Sequence, residues 1–180
     1  MPSRQLFVDT VPVPRESRIV HAFPSTDYTD AYSVELPSGA TTDPELLART
    51  IFERPSPVVR FLLKARDTLV GVFGLKTAKR LPAEARDGIS RIDIFRIYRI
   101  YPAEIILGED DKHLDFRVSV HCSRPQVPGE KHWVTLSTVV HFHNRFGRLY
   151  FLVIAPFHRV LARSGLRRVA RIGWPMAKSA

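Results

Sequence analysis

The sequence predicts an α+β fold: a curved antiparallel sheet gripping one long carboxy-terminal helix, with two helices between the first strands and the remaining sheet. Three observations predict it. Leu114, Phe116, Val118, Val120 and Cys122 alternate with Asp115, Arg117, Ser119 and His121, the period-two pattern of a strand with one apolar face. Val134, Leu136, Thr138, Val140 and Phe142 alternate in the same way with Thr135, Ser137, Val139, His141 and His143. Residues 149–157, which follow, are apolar nearly all round, as in a helix packed against other structure. A sheet with one apolar face needs a cover, and this helix is the natural one.

Taken in order, residues 1–16 carry Pro2, Pro12 and Pro14 and read as an extended arm. Residues 17–23 and 28–36 are strand candidates; in the second, Tyr28, Asp30 and Tyr32 alternate with Thr29, Ala31 and Ser33. Thr42-Asp43-Pro44-Glu45 opens a helix to about Phe52: Asp43 caps, Pro44 suits the first turn, and Glu45 complements the dipole. A second helix starts at Ser56-Pro57 and ends at Gly74, with Val58, Phe61, Leu62, Ala65, Leu69, Val72 and Phe73 on one stripe. Arg66 lies at the border of that stripe, set to reach water or to pair with a carboxylate of the sheet. Strands are then expected at 92–98, 103–107, 113–122 and 133–143. Pro125, Pro128 and Gly129 mark a hairpin connection. The last helix is placed at 148–163, with Pro156 as a kink or restart.

A chain of 180 residues fits one domain, with its core at about 17–163 and a basic tail from 164 to 180. Charged residues make up 25% and apolar residues 44%, the proportions of a soluble globular protein. No apolar run is long enough to cross a bilayer. No charged-then-apolar leader opens the chain, and the single cysteine, Cys122, excludes an internal disulfide, so a cytoplasmic setting is expected. The net charge of +9 is uneven: residues 1–130 hold 18 basic and 18 acidic side chains, whereas residues 131–180 hold 9 basic and no acidic ones. An anionic partner is one reading of that asymmetry. Arg163, Arg167, Arg168 and Arg171 interleave with Leu166, Val169, Ile172 and Trp174, a pattern suited to peripheral contact with an anionic membrane. A solvated tail is the plainer reading. Without an aromatic stacking platform or a recognised motif, nucleic acid is not expected as a partner.

Candidate chemistry is sparse. His113, Asp115 and Arg117 share a strand face; they could position a polar substrate or relay a proton, but cross-strand ion pairing is preferred. His141 and His143, with His113 or His121, could chelate a metal, but nothing supplies the remaining ligands, and no metal or other cofactor is expected. His158, beside Phe157, could present a ring nitrogen inward among apolar walls, with Tyr150 adding a hydroxyl; equally, His158 could end the apolar run and meet water. No nucleophile elbow, P-loop or dinucleotide fingerprint occurs.

The stretches Asp27-Tyr28-Thr29-Asp30-Ala31-Tyr32, Lys64-Ala65-Arg66-Asp67, Phe73-Gly74-Leu75-Lys76, residues 108–117, Thr138-Val139-Val140, His143-Asn144, Gly147-Arg148-Leu149-Tyr150-Phe151 and Pro156-Phe157-His158-Arg159 together resemble the bacterial domain-of-unknown-function family numbered 2867. The resemblance covers roughly residues 17–163. It departs at Val58-Val59, where the family often has tryptophan. It implies a helix-grip fold related to polyketide cyclases and lipid-transfer domains, and it supplies no catalytic residues. The leading expectation is a binding module for a small hydrophobic molecule, lipid or polyketide-like, in a cavity between sheet and terminal helix, touching Tyr150, Phe157, His158 and Arg66. The alternatives are a cyclase- or dehydratase-type enzyme using acid and base groups in that cavity, and an interaction or homodimer surface on the His113, Asp115 and Arg117 face.

Overall fold

The computed structural model of the chain describes residues 7–53, 90–123 and 131–177. The described strands are β1 (Asp9–Thr10), β2 (Tyr28–Glu35), β3 (Arg91–Ile92), β4 (Phe95–Tyr101), β5 (Glu104–Asp110), β6 (Leu114–Cys122) and β7 (Trp133–Phe142). They form one open sheet in the order β1-β2-β7-β6-β5-β4-β3, and every neighbouring pair is antiparallel. Helix α1 (Pro44–Phe52) packs on β5 and β6, and the long helix α2 (Arg145–Ile172) packs on β2 and β7. An α+β arrangement with an antiparallel sheet and a long terminal helix is what the alternation predicts, and it is consistent with a helix-grip fold. The second predicted helix, Arg66 within it, and most of the β6–β7 connection lie outside the described residues. None of the described helices is long and apolar enough to cross a membrane.

The strand register follows from burial of the expected face. Leu114, Val118, Val120 and Cys122 of β6 are buried, as are Val134, Leu136, Thr138 and Val140 of β7. Phe116 is partly buried and touches both apolar clusters under the helices. Helix α1 begins as its sequence requires, with the Asp43 carboxylate accepting from the amides of Glu45 at 2.8 Å and Leu46 at 3.4 Å.

The other face of the sheet is not simply solvated. Ser33, Thr135, Ser137, Val139, Ser119 and His121 are buried there too. Their cover comes from residues 17–23, which form a 3-10 turn (Arg18–His21) in place of the expected strand. The reason is local capping joined to a distant carboxylate. Ser17 caps the turn by accepting from the Ile19 amide at 3.3 Å. Its hydroxyl donates to Glu104, whose carboxylate also accepts from the Arg18 amide at 2.8 Å and the Ser119 hydroxyl at 2.5 Å. Glu104 is buried and its carboxyl oxygens accept these three hydrogen bonds, which hold the turn on the sheet.

Both ends of the core differ from the sequence reading. The arm contributes Val8 to the core and pairs β1 with β2 through Asp9–Ser33 and Thr10–Tyr32. Helix α2 begins at Arg145, capped by the Asn144 side chain accepting from the Gly147 amide at 2.9 Å. It passes Pro156 without ending, because the carbonyl that a proline leaves unpaired belongs to Leu152 on the exposed side. It then runs nine residues past the expected end at Arg163 to Ile172. The core therefore does not stop at 163, and the tail is not simply solvated: Leu166 and Val169 are fully buried and Trp174 is buried. Arg168 donates to the carbonyls of Thr50 and Ile51 at 2.9 Å each, capping the end of α1. The segment after the helix pairs with the turn after β2, Pro175 accepting from the Thr41 amide at 2.8 Å and Gly39 from the Ala177 amide at 2.9 Å.

Candidate functional site

The buried stripe of α2 comprises Gly147, Phe151, Ala155, Ala162, Leu166 and Val169. His158 falls on this stripe, three residues after Ala155 and four before Ala162, which points it at the sheet. Its Nε2 lies 3.2 Å from each carboxylate oxygen of Asp30. Asp30 sits in β2 between Tyr28 and Tyr32, and the strand period puts all three on one face. The Tyr28 hydroxyl donates to Asp30 Oδ2 at 2.7 Å and the Tyr32 hydroxyl at 3.2 Å.

Two arginines of α2 close the cluster. Arg159 Nε donates to the Tyr28 hydroxyl at 3.3 Å. The Arg163 guanidinium lies over the Tyr32 ring, 5.3 Å from its centroid, and donates to Thr10 Oγ1 at 3.0 Å. The Nε of Arg163 is buried and has no hydrogen-bond partner among the described residues.

The polar cluster separates two apolar regions beneath the helix. Leu114, Val140, Phe151 and Ala155 lie on one side, with Tyr28, Phe116, Phe142 and Tyr150 packed against them. The larger core, with Tyr32, Ala162 and Leu166, lies on the other. Tyr28 packs against Phe151 with the rings tilted at 58° and 4.6 Å between their centroids. Side-chain exposure is 9% for Asp30 and 22% for His158, so the cluster is shielded at its carboxylate and open at its rim.

Burial alone would raise the Asp30 carboxyl. The His158 hydrogen bond and charge, with the two tyrosine hydroxyls, outweigh it and hold the group below the ordinary carboxylate range. Burial and the same carboxylate push Tyr32 up to about 12 and raise Tyr28 as well. Asp30 is therefore an ionised acceptor and the tyrosines are neutral donors. With Nε2–H of His158 directed at Asp30, the other ring nitrogen of a neutral imidazole is an acceptor. The tyrosine O–H groups and the His158 Nε2–H are all directed at Asp30, so the donor left for an oxygen-bearing group is the buried Nε of Arg163, and the Asp30–His158 pair can move a proton.

The remaining sequence candidates divide. Tyr150 is half-buried against the Phe151 cluster, and Phe157 is half-buried beside His158. His113, Asp115 and Arg117 are not brought into this cluster. Asp115 meets His143 Nε2 at 3.0 Å. Arg117 meets Asp110 at 2.8 Å and lies 3.6 Å from the centre of the Tyr98 ring. Tyr98 is the extra residue of a β-bulge in β4, and its hydroxyl donates to Asp110 at 2.8 Å. His113 lies 3.2 Å from the Asn144 amide and 4.7 Å from the Phe146 ring. His141 has Ser25 at 3.3 Å and Asp27 at 3.5 Å. The described residues contain no group of three or more histidine, cysteine or acidic side chains able to hold a metal ion. Burial pushes the Cys122 thiol up to about 11, so it is protonated and unreactive at neutral pH.

Sequence reasoning reached His158 but missed Asp30, Tyr32 and Arg163. The available signal was the acid flanked by two tyrosines at i±2, since a charge among half-buried aromatics needs a partner.

A family model described as "Protein of unknown function (DUF2867)" matches residues 22–165, a span that includes β2 and the part of α2 carrying His158. No curated protein and no solved structure matches the chain.

Proposed function

The chain belongs to this family of unknown function, DUF2867, which brings no activity with it, and from the geometry at Asp30 we propose that it is a binding module for a small hydrophobic molecule bearing one oxygen-rich end. The observation that carries this reading is the polar cluster of Asp30, Tyr28, Tyr32 and His158 set between two apolar clusters under α2. Few convergent polar groups among apolar walls is the usual composition of a small-molecule site. The buried Nε of Arg163 supplies an unused donor beside Tyr32, and Arg159 adds a cation at the rim. A carboxylate or carbonyl end would meet these donors, and its hydrocarbon part would lie along Tyr28, Phe151 and Tyr150.

Mass spectrometry of small molecules released from natively purified protein tests this directly, alongside displacement of a fluorescent fatty-acid analogue. Retention of a compound that is lost in Arg163→Gln and His158→Ala, with both variants still folded, is the expected result. Absence of any retained compound, together with no saturable uptake of the analogue, would sink the reading.

An acid–base enzyme of cyclase or dehydratase type is the second reading, favoured by the Asp30–His158 pair at 3.2 Å. It separates from a carrier by turnover: a bound compound released chemically altered, with a rate that disappears in Asp30→Asn. The interaction-surface reading is weaker, because Asp115 and Arg117 already engage His143 and Asp110 within the chain.

A further inference from the structure

Opposite its buried stripe, α2 exposes Leu149 (62%), Leu152 (66%), Val153 (50%) and Val160 (52%), with Pro156 also exposed among them. At 3.6 residues per turn these five positions form one continuous ridge. Arginines stand at both of its ends and along one flank. Arg145 and Arg148 precede it, Arg159 lies along its flank, and Arg167 and Arg171 continue the same face; all five are exposed. No acidic residue occurs anywhere from 131 to 180. A solvated helix would normally carry mixed charges on its outer face, not four large aliphatic side chains with arginines as the only charged residues of the helix beside them.

We propose that the outer face of α2 is a docking surface for an anionic lipid bilayer, with the Leu149–Val160 ridge entering the headgroup boundary and the surrounding arginines pairing with lipid phosphates. Charge complementarity selects the occupant: Arg148 is paired with Asp27 at 3.3 Å, but the helix itself contributes only cations, and apolar insertion beside a cationic border is what an interfacial helix requires. A protein partner would need matched shape around the ridge, and a nucleic acid would have no use for the aliphatic side chains. The inference does not depend on the ligand reading, because His158 lies on the opposite side of the helix. It also moves the membrane contact from the expected tail at 164–180 to a surface reaching back to Arg145, because Leu166, Val169 and Trp174 of the tail are buried.

Flotation of the full-length protein with vesicles of phosphatidylcholine alone, or mixed with phosphatidylglycerol, tests it at low and high salt. Binding is expected only with the mixed vesicles, weakening as salt rises. Arg167→Gln with Arg171→Gln should weaken it about 30-fold, and Leu152→Asp with Val153→Asp by at least about tenfold. All four side chains are exposed, so circular dichroism and thermal melts should match the parent. No flotation at low salt, or equal flotation with both vesicle types, overturns the proposal. So does vesicle binding that needs the arginines but ignores Leu152 and Val153, which would show attraction by charge alone without entry of the ridge. Self-association without vesicles that disappears in the Leu152, Val153 variant would assign the ridge to a second copy of the chain and overturn it equally.

Discussion

His158 Nε2 on α2 stands 3.2 Å from both carboxylate oxygens of Asp30 on β2, joining residues 128 positions apart. The contact crosses the sheet–helix gap at the one place where the buried stripe of the helix turns polar. It fixes the rotation of α2 over β2. Because Asp30 also receives two tyrosine hydroxyls, its loss leaves both of them and His158 without their common acceptor.

Asp30→Ala is accordingly expected to cost about 3 kcal/mol in a denaturant melt, the size of breaking a buried charged pair. The pH dependence carries a sign. The folded-state carboxyl lies below its unfolded value, so its stabilisation is complete above the ordinary carboxylate pKa of about 4 and is lost as pH falls through the folded value. Asp30→Asn should therefore lose less stability than the parent between about pH 5 and pH 2. Identical acid limbs would show that the pair does not stabilise the fold.

Gly147→Ala tests the seat of the helix start. A Cβ there would lie 2.1 Å from the carbonyl oxygen of His113. That oxygen cannot retreat easily, since it accepts from the His143 amide at 3.0 Å. A loss of about 3 kcal/mol is expected from overpacking. A melt within a few tenths of the parent would mean that α2 can lift off β6 at little cost.

His143 shows the opposite pH sign. The Asp115 hydrogen bond raises its pKa against a small effect of burial. Its contribution is complete below the ordinary imidazole value and fades as pH rises through the folded value. An NMR titration should place the His143 midpoint above about 6.5, and Asp115→Asn should bring it back down. A midpoint unmoved by that substitution would remove Asp115 as the cause.

What could be read from sequence alone was what repeats locally. The period-two faces of β6 and β7 are legible because each strand writes its own burial pattern into adjacent residues, and Asp43-Pro44 announces α1 within four positions. Residues 17–23 were misread as a strand because their conformation is decided by Glu104, 87 positions from Ser17. Thr135, Ser137 and His141 alternate as the polar side of a strand with one apolar face. Yet Ser137 is fully buried, because the 3-10 turn covers a face that its alternation marks as polar. Asp30 escaped notice for a related reason: its partner His158 is distant, and an Asp between tyrosines looks locally like an ordinary edge strand.

The end of α2 shows most clearly how charge misleads. Arginines at 163, 167, 168 and 171 made residues 164–180 look like a solvated tail that could be deleted without harm. The structure instead buries Leu166, Val169 and Trp174 and uses Arg168 to cap α1. Removing a buried leucine or tryptophan side chain costs about 2–5 kcal/mol, while whole domains are stable by only about 5–15 kcal/mol. A chain ending at residue 163 is therefore expected to lose its cooperative thermal transition. In contrast, full-length Arg167→Gln with Arg171→Gln should melt like the parent, because both guanidinium groups are exposed. That pair of melts separates the apolar side of the segment from its charge. A truncated protein that still unfolds sharply near the parent temperature would mean that the core closes without Leu166, Val169 and Trp174, and that the helix beyond Arg163 contributes nothing to stability.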